Sequence, residues 1–391
     1  MTHMRFFCKE IGPRPSASAK ERQAADYVRR VLDSLGVTNV QEQTFRSQTT
    51  LGWITIPMVM VGALAVPLGS AGGQFGKLAG GALLLMALYT MVRFASAAPP
   101  FFQSLIAWSK SQNVIAHIAP SGEAKRRIFL VGHLDTNKQR FQAPPPAPQM
   151  LKPFATFFYI SAFIAGVSLL IGGVSNSEIA WWQWAICGLL FFSVTGLAFD
   201  ETQPHIEGAN DNATAASVLL GVAEALKARP LKNSEVTLLF TGCEEAPCVG
   251  IENYLREFLP AKESSYWIDL EMVGTGNLCY VTKHGLSYVT EYRPTREMVE
   301  LAESASQKNP DLEVIGKEML ILEEVANIRR YGYHAICIAG YDKNGFLPNW
   351  HRVTDRLENI EPPTLERAAQ FTWALMQEID QQEHMPCLHQ A

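Results

Sequence analysis

Apolar and polar positions along this chain separate on two length scales. On the long scale, four segments contain no charged residue: Leu51 to Gly76, Leu78 to Val92, Pro153 to Ser177 and Ile179 to Phe199. A helix that crosses a bilayer needs roughly 20 predominantly apolar residues. The first, third and fourth segments reach that length. The second does so if Arg93 snorkels and the helix runs on toward Ala98, just before Pro99-Pro100. A short Gly-Gly-Gln-Phe-Gly-Lys connection joins the first pair. The pattern therefore predicts two helical hairpins, with Gly62, Gly69, Gly80 and Gly81 allowing close helix approach in the first. Trp181, Trp182 and Trp184 cluster near one end of the second, where aromatic residues favour a membrane interface.

On the short scale, apolar residues recur with helical or strand period. Ser16 to Leu35 reads as a helix: Ser18 caps it with Glu21 three positions on, Ala24, Tyr27, Val28, Val31 and Leu35 follow, and Gly36 ends it. Strands are predicted over 37–46, 113–118, 127–131, 236–241, 266–271 and 335–339. Helices are predicted over 213–228, 251–258, 324–331 and 363–379, with a Pro-rich linker over 143–148 and a loop at 350–355. Alternating strands and helices predict an α/β fold, a mixed but mostly parallel sheet with helices on both faces. The domain so predicted is discontinuous, 1–50, 108–152 and 200–391, interrupted by hairpins over 51–107 and 153–199.

Composition narrows the chemistry. The net charge of −5 over 391 residues gives no reason to expect a nucleic-acid partner. Seven cysteines, odd in number and without a CxxC pair, predict neither a disulfide framework nor a thiolate zinc site, and point to a reducing compartment. Met1 to Arg30 mixes charges throughout and has no apolar core of a signal peptide.

The charged motifs gather at predicted strand ends, where open α/β sheets carry their functional groups. Val236 to Phe240 leads into Glu244-Glu245. Two adjacent carboxylates there are costly to bury unless each has a partner. Successive side chains leave an extended backbone in different directions, so one glutamate can bind a metal while its neighbour reaches the attacking water. His133-Leu134-Asp135 ends another strand, Asp269 and Glu271 end a third, Asp211 stands at a helix start, and His351 lies in a late loop. Mixed imidazole and carboxylate donors suit zinc or a similar divalent ion, whereas calcium would want oxygens only. Asn210 and Asn212 are read as turn-shaping, His205 as a solvated loop residue, and His117 as structural. His284 has no motif context, and Tyr331, Tyr333 and Tyr341 are read as packing rather than as oxyanion donors.

Taken together, His133-Leu134-Asp135, Gly208-Ala209-Asn210-Asp211-Asn212, Glu244-Glu245, Glu271-Met272-Val273-Gly274 and His351-Arg352-Val353-Thr354-Asp355 resemble the motifs of di-zinc exopeptidases of the bacterial leucyl aminopeptidase and glutamate carboxypeptidase type. The resemblance covers about 8–50 and 110–385 and keeps the family's motif order. It implies a zinc exopeptidase-like fold and two Zn²⁺ or similar divalent ions. Asp211 would bridge them, His133 and Glu271 would complete one site, and Glu245 and His351 the other. Glu244 would be the general base, and Asp135 would orient His133 through its other ring nitrogen. The family has aspartate immediately before Met-x-Gly, where this chain has Glu271. Asp269 faces the same way two residues earlier, so either carboxylate could reach the metal.

The implied activity is a membrane-anchored aminopeptidase, with carboxypeptidase specificity left open. A peptidase-like scaffold without activity and a single-zinc cyclase or acyltransferase are the alternatives on the same fold. Arg46, Arg93, Lys110, Lys138, Arg140 and Lys152 flank the hairpins on the catalytic side. Excess Lys and Arg near span ends marks the cytoplasmic side. The expectation is a multi-pass inner- or plasma-membrane protein with its catalytic domain in the cytoplasm, acting on hydrophobic or membrane-associated peptides.

Overall fold

A computed structural model describes residues 1–141 and 147–382. Eight strands form one sheet: β1 (Val40–Ser47), β2 (Ser109–Ile118), β3 (Arg126–His133), β4 (Ser234–Thr241), β5 (Ser265–Glu271), β6 (Asn277–Lys283), β7 (Ile315–Glu318) and β8 (His334–Tyr341), in the order β1-β2-β4-β3-β5-β8-β6-β7. The central run β4-β3-β5-β8 is parallel throughout. β2 runs antiparallel to β4, and β6 antiparallel to β8, so the sheet is mixed at its flanks.

The helices are α1 (Thr2–Arg5), α2 (Ala19–Ser34), α3 (Gly52–Ala63), α4 (Ala65–Ala71), α5 (Gly73–Ala95), α6 (Gln103–Ile106), α7 (Ala147–Ser175), α8 (Trp181–Glu201), α9 (Thr214–Ala228), α10 (Val249–Phe258), α11 (Arg296–Lys308), α12 (Glu324–Arg330) and α13 (Pro362–Gln381). Ser18 caps α2, its side chain accepting from the Lys20 and Glu21 amides. One sheet face packs on α2, α9 and α13 through residues such as Val28, Leu219 and Phe371. The other packs on α10 and α12 through Ile251, Leu255, Val325 and Ile328. Burial on both faces explains why the central strands read as continuous apolar runs.

β6, β7 and α11 were not predicted. β7 is the four residues Ile-Gly-Lys-Glu, mostly exposed, and leaves no apolar period to read. Residues 143–146 of the predicted Pro-rich linker lie outside the described residues, and Ala147 and Pro148 already belong to α7.

The apolar stretches form two packed hairpins, α3-α4-α5 and α7-α8. Four helical spans, Gly52–Ala71, Gly73–Ala95, Ala147–Ser175 and Trp181–Glu201, are long and apolar enough to cross a membrane. The first turns a corner at Leu64, because Pro67 has no amide to donate to the carbonyl of Ala63. Gly80 lies against the carbonyl of Ala65 within the first hairpin, and Gly81 against the carbonyl of Gly166 in the second. A Cβ on either glycine would clash with that backbone, so the close approach depends on small residues. At the far turns Lys77 Nζ donates to Ser177 O at 2.6 Å, joining the two hairpin tips. Inward-facing Val59, Leu84, Phe158 and Leu190 pack together, while Phe157, Phe163, Ile171 and Phe192 stand exposed on the outer surface.

Candidate metal centre

Three adjacent parallel strands deliver the site. His133 is the last residue of β3 and pairs in register with Thr241, the last of β4; Glu271 is the last residue of β5. Glu244 and Glu245 follow β4 directly, and their amides donate to the Asp135 carboxylate at 3.0 and 3.1 Å. Asp135 also accepts from Ser16 Oγ at 2.6 Å. The His133 Nδ1 lies 3.1 Å from the carbonyl oxygen of Asp135 and 3.5 Å from its carboxylate, leaving Nε2 to face the cleft.

Asp211 enters from the turn before α9. Its amide and that of Asn210 donate to the buried Asp355 carboxylate at 3.0 and 2.6 Å. The turn begins at Gly208, with φ +65°, where a Cβ would strike Thr136. A glycine is required there on both counts. Arg14, fully buried, braces the same region, donating to the carbonyls of Leu134, Glu207 and Gly208.

The side chains converge. Asp211 Oδ1 is 3.2 Å from His133 Nε2, and Oδ2 is 3.4 Å from His351 Nε2. Glu271 lies 3.6 Å from His133 Nε2, and Glu245 lies 3.3 Å from His351 Nε2. Asn212 Nδ2 donates to Glu271 Oε2 at 3.0 Å, which fixes that carboxylate. Three overlapping ligand groups result, His133–Asp211–Glu271, Asp211–Glu245–His351 and His133–Glu244–Glu245, with Asp211 common to the first two. Glu244 stands beside them, 3.9 Å from His133 Nε2.

These residues fit divalent cations on physical grounds. His133 Nε2, Asp211 Oδ2 and Glu245 Oε1 are buried and have no hydrogen-bond partner. They approach their neighbours closely without the alignment of hydrogen bonds, as atoms aimed at shared points would. Burial raises the carboxyls of Glu244, Glu245 and Glu271, the last to about 7, even with His133 and His351 opposing it. Buried carboxylates in such excess need positive charge among them.

Of the two open carboxylates, Glu271 is the one beside His133. Asp269 lies one strand period deeper, grouped with Glu323 and Cys337. Asn210 and Asn212 do more than shape the turn: Asn210 Oδ1 accepts from Gly274 N at 2.8 Å, and Asn212 holds Glu271. His117 bonds Thr237 within the sheet, and His205 stays outside the ligand groups. Tyr331 and Tyr333 are engaged by Glu252 and Pro260 O. The residues that pattern reading missed are Arg14, Ser16 and Asn137, whose Nδ2 reaches Glu245 Oε2 at 2.5 Å. Asn137 stands two positions after Asp135, and that proximity was the available signal. Six cysteines, all those among the described residues, are free thiols.

Comparison with known proteins bears on the fold. Residues 193–376, just under half of the chain, match the model of peptidase family M28. Aminopeptidase YwaD of Bacillus subtilis (strain 168) is 28% identical over 200 residues, 48% of this chain and 41% of that protein. The match thus spans about two fifths of the curated relative. Among solved structures, the zinc aminopeptidase BSAP from Bacillus subtilis superposes with a TM-score of 0.56 at 14% identity, covering 96% of this chain and 93% of that one. A glutaminyl cyclase from Bacteroides thetaiotaomicron, bound to N-acetylhistamine, gives 0.56 at 16% identity over 96% and 95%. The fold is therefore that of the zinc exopeptidases, one that cyclases share.

Proposed function

We propose that this chain, M28-like over residues 193–376, is a membrane-anchored, zinc-dependent exopeptidase, and that it removes residues from the amino end of peptides. The observation that carries the reading is Asp211, with its two carboxylate oxygens within 3.2 and 3.4 Å of two different imidazoles. His133, Asp211 and Glu271 would hold one divalent ion, and Asp211, Glu245 and His351 the other. Such a pair of ions polarises a carbonyl and makes water nucleophilic near neutral pH.

The chain's own groups supply the rest. Glu244 is the general base: its carboxylate takes a proton from the attacking water and returns it to the leaving amine. Its contact with the Cys248 thiol at 3.4 Å leaves the other oxygen free for this. Asp135 fixes the Glu244-Glu245 backbone and the His133 ring together, so base and ligands keep one geometry.

A cyclase is the second reading, favoured by the equal superposition of a glutaminyl cyclase. Release of free amino acids from a panel of aminoacyl and short peptide substrates, abolished by chelation and restored by Zn²⁺, supports the peptidase. Turnover of amino-terminal glutaminyl substrates alone would favour the cyclase.

The four apolar spans are read as two membrane hairpins with the catalytic domain on the cytoplasmic side. The support is the outer surface of α5, α7 and α8, where large apolar side chains such as Tyr89, Phe157 and Phe192 stand more than half exposed. Extraction decides it: protein released by carbonate without detergent would rule out spanning. Arg140 bridges Glu201 at the base of the second hairpin to the backbone of His351, which favours peptides approaching along the bilayer.

A further inference from the structure

Residues 136–141 form a strap between the metal centre and the foot of α8. On one side the strap is bound to the end of the helix: Phe141 N donates to Asp200 Oδ1 at 2.8 Å, Gln139 N to Pro204 O at 3.0 Å, and Ile206 N to Asn137 O at 3.0 Å. On the other it meets the ligands. Arg140 N donates to His351 O at 3.0 Å. Asn137 Nδ2 donates to Glu245 Oε2 at 2.5 Å and lies 3.2 Å from His351 Nε2.

The Asn137 amide has one sense. Its Oδ1 accepts from Arg140 Nε and from Lys138 N, both at 2.8 Å. Reversing it would set the NH₂ group against two donors. Arg140 itself is 3% exposed and its Nη1 donates to Glu201 Oε1 at 2.7 Å. Glu201 is the last residue of α8 and packs on Gly52, the first of α3, so it touches the feet of both hairpins. A continuous hydrogen-bonded chain thus runs from the ends of the apolar helices to one metal-ligand group.

We propose that Asn137, held in orientation by Arg140, is a positioning residue for the Glu245–His351 ion, and that the Arg140–Glu201 pair ties that ion's affinity to the seating of α8. The inference rests on the two-ion reading of the site. A donor fixed to Glu245 Oε2, the oxygen 3.3 Å from His351 Nε2, holds the carboxylate in a single rotamer, and Oε1 is buried without a hydrogen-bond partner. Loss of an outer-shell partner of this kind typically lowers metal affinity about 10–100-fold. Only one of the two ions should feel it, because His133 and Glu271 make no contact with Asn137.

The test is a Zn²⁺ titration of the full chain in detergent against a competing chromophoric chelator, with both dissociation constants resolved. Wild type that binds fewer than two equivalents removes the two-ion reading itself. With two bound, Asn137→Ala should weaken one constant by about 10–100-fold and leave the other within about twofold. Glu245→Gln should abolish the same equivalent, which identifies it. Arg140→Met should weaken that equivalent too, and the Asn137→Ala/Arg140→Met double variant should bind no more weakly than Asn137→Ala alone, as expected of one coupled unit. Glu201→Gln should shift the same constant several-fold, and an unchanged constant would overturn the tie to α8. Unchanged constants in Asn137→Ala would overturn the positioning role. So would both constants shifting together with a fall in the melting temperature of the metal-free protein, since that is the mark of a purely structural residue.

Discussion

Two polar clusters sit on the same face of the sheet, one strand period apart, and they behave differently. Glu271 belongs to the upper cluster with His133 and Asp211; Asp269, two residues earlier on β5, belongs to the lower one with Glu323 and Cys337. Asp269 and Cys337 are register partners across β5 and β8. In the lower cluster Glu323 is the hub, while both Asp269 oxygens and both His284 ring nitrogens are buried without a hydrogen bond. Glu323 accepts from Tyr292 OH at 3.0 Å and Val325 N at 2.6 Å, and meets His284 Nδ1 at 2.5 Å. Burial, then the charges of Glu323 and Glu324, push the Asp269 carboxyl well up. All four of Asp269, Glu323, Cys337 and His284 are sealed from solvent.

The upper cluster also leaves lone pairs over, and it opens to solvent. His133 Nε2, Asp211 Oδ2 and Glu245 Oε1 have no partner, and Glu244 and His351 keep 12% and 15% of their side-chain surface open. Unpaired atoms occur in both places, so the same residue types make packing where they are sealed and a site where there is a way in. Neither the composition of a cluster nor its hydrogen-bond satisfaction separates these cases; access does.

The comparison can be broken by treating both clusters alike. The largest effect is expected in the upper one. Glu244→Gln should lower kcat by about 10²–10⁴-fold while both metal equivalents and the melting temperature stay near wild type. Retained turnover would reassign the base. In the lower cluster, His284→Ala leaves Glu323 buried without that partner and should cost about 3–5 kcal/mol of stability, read by denaturant melts. Its metal content should not change; lost zinc would make the lower cluster a site as well.

Much of this was legible in the chain. The alternation of apolar runs predicted the parallel centre of the sheet, and motifs at the ends of β3, β4 and β5 converge because parallel strands end on one side. Depth was not legible. Asp269 and Glu271 share a face, and only the position of α12, which brings Glu323 up beside Asp269, separates them. Asn137 and Arg14 were hard to read for a related reason: the partners that tie them to the site, Glu245 and Leu134, are 108 and 120 residues away and are set by tertiary contact. β7 escaped because four mostly exposed residues carry no period.

A smaller effect sharpens the contrast between the α/β body and the hairpins. Gly81→Leu would press against Gly166 O and Leu170, both 2.8 Å from the Cβ position. Overpacking of this kind costs about 1–3 kcal/mol. The melting temperature in detergent should fall while Zn²⁺ binding and kcat hold. Loss of metal from this substitution would show that the hairpins and the site share more than the strap at 136–141.

The central claim is that Asp211 serves two ions at once, and counting metal tests it most directly. Zinc per chain should be measured by elemental analysis on the purified full-length protein, wild type and Asp211→Ala, after equilibration with Zn²⁺ and removal of loosely bound ion. The account predicts two equivalents in the wild type and close to none in the variant, with folding retained by circular dichroism. One equivalent in the wild type, or one retained tightly in Asp211→Ala, would contradict it.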